Sequence, residues 1–400
     1  MRTSKTRVIA AASAAAVTAA GLLTATTALA SPAHAAVHAG ALQQDHPSYS
    51  VKTILFGANL RHVNSKTGQR EALTKPDDIT QYGGNLYTAF QNGVGPQGQP
   101  APDGNKASTI VEFTPGGSVV AQWDVTGKVD GLTANPGTGD VIATVNEDRH
   151  SSLYDITGGT VVHYSYNQAL PHHGGTDAIS FYRGQMLISA SAPGTTGAAA
   201  PNAAYPAVYA VTLNPATHVA TVKLYFGDEA SAHQANLDQV GERTVLALTD
   251  PDSSEVVPSF APRFRGDFML NSQGDQELIF SSVPSSLWVL RLSQSIDDTA
   301  WSTAWNGTLF ATDNGADTVD AVDSRLFWPG RAFVVVTPCN ANRAPATCPA
   351  PGSPPNYLGV LDMFTGQITR VDLHGRALHP QGLVFVGNGS SSAPSLPAGL

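Results

Sequence analysis

The sequence has little charge, little sulfur and none of the common catalytic motifs. Only 13% of its 400 residues are charged, and the formal net charge is -9. The sequence shows no cluster of Lys and Arg, so we expect no nucleic-acid partner. Gly-x-Ser-x-Gly, His-Glu-x-x-His and P-loop patterns are absent, which removes the enzyme classes that these motifs mark. Sustained helical periodicity is also absent between residues 51 and 388, and this argues against a helical fold.

Cysteine is almost absent, and its two copies lie close together. Cys339 and Cys348 flank a stretch rich in Pro, Asn and Ala. In an exported protein, this spacing predicts a disulfide that staples a surface loop. A metal pair is the alternative, but two further soft ligands are missing nearby.

The N-terminal 35 residues have the pattern of a secretory signal peptide. Arg2, Lys5 and Arg7 precede an Ala-rich apolar run over 8–30, and Ala33-His34-Ala35 offers a cleavage site. An uncleaved membrane anchor is the alternative, because the run is long enough to span a bilayer. No later segment is comparably apolar. We therefore expect a secreted, extracellular bacterial protein without a membrane span after cleavage.

The remaining chain reads as one domain between two short terminal segments. Residues 36–50 are predicted to be a flexible lead-in, and the low-complexity residues 389–400 a disordered tail. No linker interrupts 51–388, so we expect a single domain and a monomer.

Short internal copies predict the fold. Four segments share an Asp, any residue and an aliphatic residue, and two are weaker copies: Asp77-Asp78-Ile79, Asp130-Gly131-Leu132, Asp177-Ala178-Ile179, Asp238-Gln239-Val240, then Asp298-Thr299-Ala300 and Gln381-Gly382-Leu383. A turn and a β-rich run follow each copy, and outer hairpins such as 108–123 complete the unit. Copies that recur about every 50–60 residues predict an all-β propeller of four-stranded blades.

Both termini are expected to contribute to the blade that closes the ring. Residues 53–56 look like outer strands without inner ones, and 378–386 look like inner strands without outer ones, so the propeller is predicted to close by their pairing. Seven blades would have roughly 48 residues each and six roughly 56, and known blades have roughly 40–50. The sequence therefore favours seven blades over six.

Two stretches resemble the NHL-type propeller repeat, in which a strand and an acidic turn precede a second strand. They are residues 311–322, where Asp317 replaces the usual Asn, and residues 142–156. The wider group includes gluconolactonase-like hydrolases and virginiamycin B lyase-like proteins, so the resemblance implies their propeller fold. It transfers no site residues, because a clear Glu-Gly-Pro start is missing and Glu147 differs in repeat position.

The segments that connect blades carry the candidate site. They would bring nine residues to one mouth of the central channel: His172, His173, His233, His379, Asp77, Asp130, Asp177, Asp238 and Asp298. No cofactor is certain, but such residues suit acid–base work or a divalent cation such as Ca²⁺. The alternative for the repeated Asp residues is structural, since an Asp at the start of a strand often binds backbone N–H groups.

Three insertions, at 91–105, 192–205 and 338–356, would form a rim over this mouth. The alternative is that they are neutral surface decoration. The first hypothesis is a secreted, non-enzymatic propeller that binds a small molecule, a glycan or a protein there. The alternative is a metal-assisted lactonase- or esterase-type hydrolase, or a lyase, at the same mouth. Convergent ionisable groups would favour the enzyme, and an apolar rim would favour the binder.

Overall fold

The computed structural model describes residues 48–171, 174–191, 205–341 and 355–388. Over these ranges the chain forms 28 β-strands and one short 3-10 turn, Gly57–Asn59, which confirms the all-β prediction. No helix in these ranges is long and apolar enough to cross a membrane. The predicted signal peptide, the tail, His172, His173 and Cys348 lie outside the described residues, so the disulfide with Cys339 stays a prediction.

The strands divide into four-stranded blades, each ordered from its innermost strand outward. Blade 1 contains β4 (Pro76–Tyr82), β5 (Asn85–Phe90), β6 (Ala107–Phe113) and β7 (Val119–Thr126). Blade 2 contains β8 (Val129–Ala134), β9 (Val141–Val145), β10 (Ser152–Thr157) and β11 (Thr160–Tyr166). Blade 3 contains β12 (Ile179–Tyr182), β13 (Gln185–Ser189), β14 (Pro206–Asn214) and β15 (Val219–Gly227).

The second half of the chain builds the other blades. Blade 4 contains β18 (Pro251–Val256), β19 (Phe268–Ser272), β20 (Glu277–Val283) and β21 (Ser286–Arg291). Blade 5 contains β22 (Ile296–Trp301), β25 (Ala332–Val336), β26 (Tyr357–Leu361) and β27 (Ile368–Arg370). Blade 6 contains β28 (Pro380–Gly387), β23 (Gly307–Asp313), β24 (Thr318–Ser324) and β1 (Tyr49–Phe56). Two hairpins remain, β2 (Arg61–Val63) with β3 (Arg70–Ala72), and β16 (Ser231–Gln234) with β17 (Arg243–Val245).

The innermost strands close a ring. Each one contacts the innermost strand of the next blade, from β4 through β8, β12, β18, β22 and β28 back to β4. A blade cannot bury both faces alone, so apolar side chains of neighbouring blades pack together. At the closing joint, for example, Phe90 and Phe113 of blade 1 share a buried cluster with Phe310 and Val319 of blade 6. The fold is therefore the predicted propeller.

Blade 6 corrects the predicted closure. Its order is β28-β23-β24-β1, so both termini contribute to one blade, as predicted, but the hairpin β23–β24 separates them. Residues 53–56 thus pair with β24, and 380–387 pair with β23. In chain order this hairpin lies between the first two strands of blade 5. The chain leaves blade 5, supplies the middle of blade 6 and then returns.

The preference for seven blades is not confirmed, because the described strands form six such units. Two hairpins of the described chain lie outside these six units. The β16–β17 hairpin extends blade 4 outward, with His233 of β16 opposite Trp288 of β21. The β2–β3 hairpin forms a separate two-stranded sheet.

A bulge interrupts the pairing of the innermost strand with its neighbour in five of the six blades. Register shifts occur between Pro76 and Ile79, Val129 and Leu132, Pro251 and Ser254, and Ile296 and Thr299. In blade 6 the shift lies opposite the segment between Pro380 and Leu383. Bulges leave residues unpaired and re-aim their side chains, which here turns one polar residue per blade toward the channel.

Candidate functional site

Each innermost strand begins with one polar residue at an equivalent position. We call these six residues the acidic ring: Asp77, Asp130, Asp177, Asp252, Asp297 and Gln381. They line a polar cavity of about 50 Å³ at one end of the channel, together with Asp78, Asp298, Glu147 and Lys128. A water needs about 10–15 Å³ on this measure, so the cavity suits a few waters or a partly hydrated ion.

The cavity is strongly acidic, since eight carboxyl groups and one ammonium group line it. Burial and the neighbouring carboxylates raise the pKa of Asp77, Asp252 and Asp297 well above the usual range. Burial also raises the pKa of Asp298, to about 7. Ionising all of these groups at neutral pH is costly unless a cation or protons compensate the charge.

Asp177 and Asp252 are ring members of two neighbouring blades, and both line the cavity. Burial and the charges of Glu147 and Asp130 raise the pKa of Asp177, and Lys128 and a hydrogen bond with Asp252 lower it only in part. The second oxygen of Asp252, Oδ2, is buried and has no hydrogen-bond donor among the described residues. Two adjacent carboxylates need a proton or a cation between them, so this pair is the part of the cavity that most requires a positive partner.

Lys128 supplies the one positive side chain of the cavity. Its Nζ contacts Asp130 Oδ1, and it lies 2.5 Å from Glu147 Oε1. The backbone N–H of Glu147 donates to the other oxygen of Asp130 at 3.2 Å. Burial lowers the pKa of Lys128, but Asp130, Glu147 and Asp77 outweigh it and hold that pKa well above the ordinary value. Lys128 therefore compensates part of the negative charge at blade 2, and no such side chain among the described residues lines the cavity beside Asp177 and Asp252.

Amide side chains from the second strands hold other ring members. Gln91, directly after β5, donates from Nε2 to Asp77 Oδ2 at 2.7 Å. Gln273, directly after β19, donates in the same way to Asp297, and Gln381 donates to Asp297 Oδ2 at 2.8 Å. Because these residues open the loops between second and third strands, those loops begin on the same face as the ring. Neither Gln91 nor Gln273 belongs to the repeated pattern, so the sequence alone did not single them out.

Asp78 and Asp298 serve the backbone as well as the cavity. Asp78 Oδ2 accepts the N–H of Leu132 in the next blade at 2.8 Å, and Asp298 Oδ2 accepts that of Leu383 at 2.6 Å. Both carboxylates thus fasten one innermost strand to the following one. This is the structural role that the sequence offered as the alternative for a repeated Asp.

The structure brings four of the predicted site residues together and separates others. Asp77, Asp130, Asp177 and Asp298 all line the cavity. Asp238 does not, because it is exposed in the turn between β16 and β17. The repeat of blade 4 is instead Asp252-Ser253-Ser254, which does not fit the repeated pattern because Ser254 is not aliphatic.

The two predicted histidines within the described residues, His233 and His379, do not line the cavity. His233 lies on the outer edge of blade 4, with its ring 5.2 Å from that of Trp288 and its Nδ1 3.1 Å from Gly241 O. The repeated pattern predicts His233 at the mouth because it assigns Asp238 to this blade, whereas the ring residue of blade 4 is Asp252. His379 directly precedes β28, and its N–H donates to Asp313 Oδ2 at 2.9 Å. His172 and His173 lie outside the described residues.

The donor set of the cavity suits a hard cation. Carboxylate, amide and backbone oxygens are preferred by Ca²⁺ and Mg²⁺. Among the described residues, however, no group of three or more His, Cys, Asp or Glu is arranged to hold a metal ion directly. A cation here would therefore keep part of its hydration shell.

Replacing Lys128 by Met should destabilise the fold at pH 8 by about 3–5 kcal/mol, because it leaves the buried carboxyl group of Asp130 and the partly exposed one of Glu147 without a counter-charge. The loss should be smaller at pH 5, where protons neutralise the raised-pKa acids. Urea unfolding at both pH values measures it. Lys75→Met is the matched control, since Lys75 precedes Asp77 as Lys128 precedes Asp130, yet it is exposed and its Nζ donates to Asn314 O. Equal losses in both variants would contradict this account.

Comparisons with known proteins return the fold alone. No protein-family model and no curated protein matches the chain. Similar solved structures include a protein of unknown function from Bacteroides thetaiotaomicron, with 10% identity and a TM-score of 0.45 over 86% of this chain and 72% of that one. A candidate gluconolactonase has 11% identity and a TM-score of 0.38, covering 72% and 89%. Virginiamycin B lyase from Staphylococcus aureus has 10% identity and a TM-score of 0.31, covering 69% and 99%.

Two of these structures belong to the groups that the sequence resembles. All three TM-scores are below 0.5. The similarities therefore do not decide what this chain binds or catalyses, and its function has to be argued from its own residues.

Proposed function

We propose that this chain is a secreted β-propeller that binds a divalent cation such as Ca²⁺ at the acidic ring and, through it, an oxygen-rich small molecule or glycan. One observation carries the proposal: Asp177 and Asp252 line the same acidic cavity, and the buried Asp252 Oδ2 has no donor among the described residues. A positive ion satisfies both carboxylates at once. Lys128 cannot do so, because its contacts are with Asp130 and Glu147.

Cavity size and charge support a cation rather than a large organic ligand. The space of about 50 Å³ is lined by charged and polar groups with Ala178 as the one apolar residue, whereas drug-sized ligands occupy mostly apolar pockets of roughly 300–1,000 Å³. A larger ligand would therefore lie outside the cavity. The segment after Gln91 lies on this side, since Pro96 O accepts the N–H of Asp148 at 3.0 Å.

A metal-assisted hydrolase or lyase is the second candidate, and convergent ionisable groups favour it. Burial raises the pKa of Asp250 to about 6, and that of Asp298 to about 7. Carboxyl groups that titrate near neutral pH can transfer protons to or from a bound substrate. A bound divalent cation would supply Lewis acidity to such a reaction. Metal analysis with a lactone and ester hydrolysis screen separates this candidate from the binder.

Asp252→Asn should weaken Ca²⁺ binding at least tenfold, because it removes one ligand charge from the carboxyl pair. A tenfold change corresponds to about 1.4 kcal/mol of binding free energy. In cation-free buffer the same variant should raise the unfolding temperature, because a repelling carboxylate is lost. Isothermal titration calorimetry on chelator-treated protein measures the first effect, and scanning calorimetry the second.

The opposite signs of the two effects make the test selective. A purely structural Asp252 would lose stability and leave cation affinity unchanged. Asp238→Asn is the matched control, because Asp238 is exposed and distant in the fold from the ring, and it should change neither quantity. Unchanged Ca²⁺ and Mg²⁺ binding in Asp252→Asn would overturn the proposed site.

A further inference from the structure

An exposed aromatic patch lies at the end of blades 4 to 6 opposite the acidic ring. Trp305 is 50% exposed, Trp328 47%, Phe260 41% and Leu326 37%. The indole rings of Trp305 and Trp328 meet edge to face, with 5.2 Å between centroids and 61° between planes. These residues follow the ends of β18, β22 and β24, whereas the ring residues of blades 4 and 5 lie at the starts of β18 and β22. We call the four residues the tryptophan patch.

Hydrogen bonds between two loops hold the tryptophan patch in place. Ser302 Oγ donates to Trp328 O, and the N–H of Phe327 donates to Trp305 O at 2.8 Å. The N–H of Gly330 donates to Ser302 O at 2.9 Å. Gly330 has a φ of +87° and packs so closely that an added Cβ would lie 2.8 Å from Phe260 O. Both indoles are therefore presented to solvent by a rigid backbone, which is typical of a contact surface.

The described chain ends beside this patch. The N–H of Asn388 donates to the carbonyl oxygen of Asn306 at 2.9 Å, and Asn306 is the sequence neighbour of Trp305. Twelve residues follow, with no charged side chain and with Pro394, Leu396 and Pro397 at their centre. Five extended residues span roughly 17 Å, so the segment can reach both indoles without strain.

We propose that residues 389–400 dock on the tryptophan patch of their own chain, with 394–397 against Trp305 and Trp328. Pro-rich segments bind aromatic surfaces well because their extended conformation loses little entropy on binding. An uncharged segment also loses no charge hydration when it covers an apolar patch. The tether places it there at an effective concentration on the order of 1 mM.

The test compares the full chain with a chain that ends at Asn388. Acrylamide quenching of tryptophan fluorescence reports access to the indoles, and Trp305 and Trp328 are the most exposed of the five tryptophans. Truncation should increase quenching and shift the emission to longer wavelength. A synthetic peptide of residues 389–400, added at about 1 mM to match the tethered concentration, should reverse both changes.

Point variants separate docking from an indirect effect of truncation. Leu396→Ser with Pro397→Ser in the full chain should reproduce the truncated spectrum, whereas Ser390→Ala with Ser391→Ala should not. Truncation of a Trp305→Ala, Trp328→Ala chain should change nothing. Identical quenching of full and truncated chains overturns the proposal. Protection that depends instead on residues 36–47, or that is lost on dilution, also overturns it, because it identifies the N-terminal segment or a second copy as the occupant.

Discussion

In cation-free buffer, the unfolding temperature of this protein should fall as the pH rises from 5 to 8. Burial and mutual repulsion raise the pKa of the acidic ring in the folded state, and burial raises the pKa of Asp250 to about 6 and those of Asp298 and Glu277 to about 7. In the unfolded chain these groups titrate near pH 4. Between the two ranges the folded state binds more protons, so the free energy of unfolding decreases with pH.

A divalent cation should reverse this loss. At pH 8 the carboxylates are most ionised, so millimolar CaCl₂ should raise the unfolding temperature, with a linkage gain of about 2.7 kcal/mol at a hundredfold excess over the dissociation constant. At pH 5 protons already occupy the same oxygens, and the gain should be smaller. Scanning calorimetry at constant ionic strength measures both effects, with NaCl as the control. An unfolding temperature that rises between pH 5 and 8 without cation would contradict the buried acidic cavity.

The repeat could be found in the sequence because it marks a physical requirement. The start of each innermost strand needs a polar residue that faces the channel, and Asp occupies this position in five of the six blades. The rule failed at blade 4, where it demanded an aliphatic residue two positions after the Asp. The ring residues of blades 1 and 4 both follow a proline, in Pro76-Asp77 and Pro251-Asp252. This shared Pro-Asp dipeptide would have identified Asp252 as the ring residue of blade 4.

The path of the β23–β24 hairpin could not be predicted from local signals. A hairpin has the same alternation and turn residues whether it completes its own blade or a neighbouring one, and the choice depends on long-range packing. Here the buried side chains of Leu309 and Val322 join a cluster with Phe333 of blade 5 and Phe385 of β28. Only those distant partners fix the hairpin in blade 6.

The charges and pKa values of the cavity could be predicted only in part from the sequence. Spacing predicts which Asp residues share a mouth, but their pKa values depend on burial and on partners from other blades. Lys128 belongs to no repeated pattern in the sequence. Its role follows from the contact of its Nζ with Glu147, nineteen residues away in sequence, and that contact exists only because the end of β9 lies beside the start of β8.

Deleting residues 378–400 should abolish folding, whereas deleting 389–400 should leave the fold intact and cost only the docking free energy of a short tethered segment, about 1 kcal/mol. The longer deletion removes β28, whose Leu383 and Phe385 are buried and which pairs with β23 and contacts both β22 and β4. Without it, blade 6 has no innermost strand and the ring cannot close, so β23 is left as an unpaired edge.

Phe385→Ala tests the packing of β28 without a truncation. The ring of Phe385 meets that of Phe327 edge to face at 4.9 Å between centroids, and Gly307 lies so close that an added Cβ would be 2.5 Å from it. Truncation of a buried Phe costs about 3–5 kcal/mol. It should act here on the whole domain, because Phe385 belongs to the buried cluster that joins blades 5 and 6, and the ring closes only if each blade packs on the next. A single cooperative urea transition at lower midpoint, matched by circular dichroism and fluorescence, is the expected result. Two separate transitions, or a folded protein after deletion of 378–400, would show that blade 6 is not the closing blade.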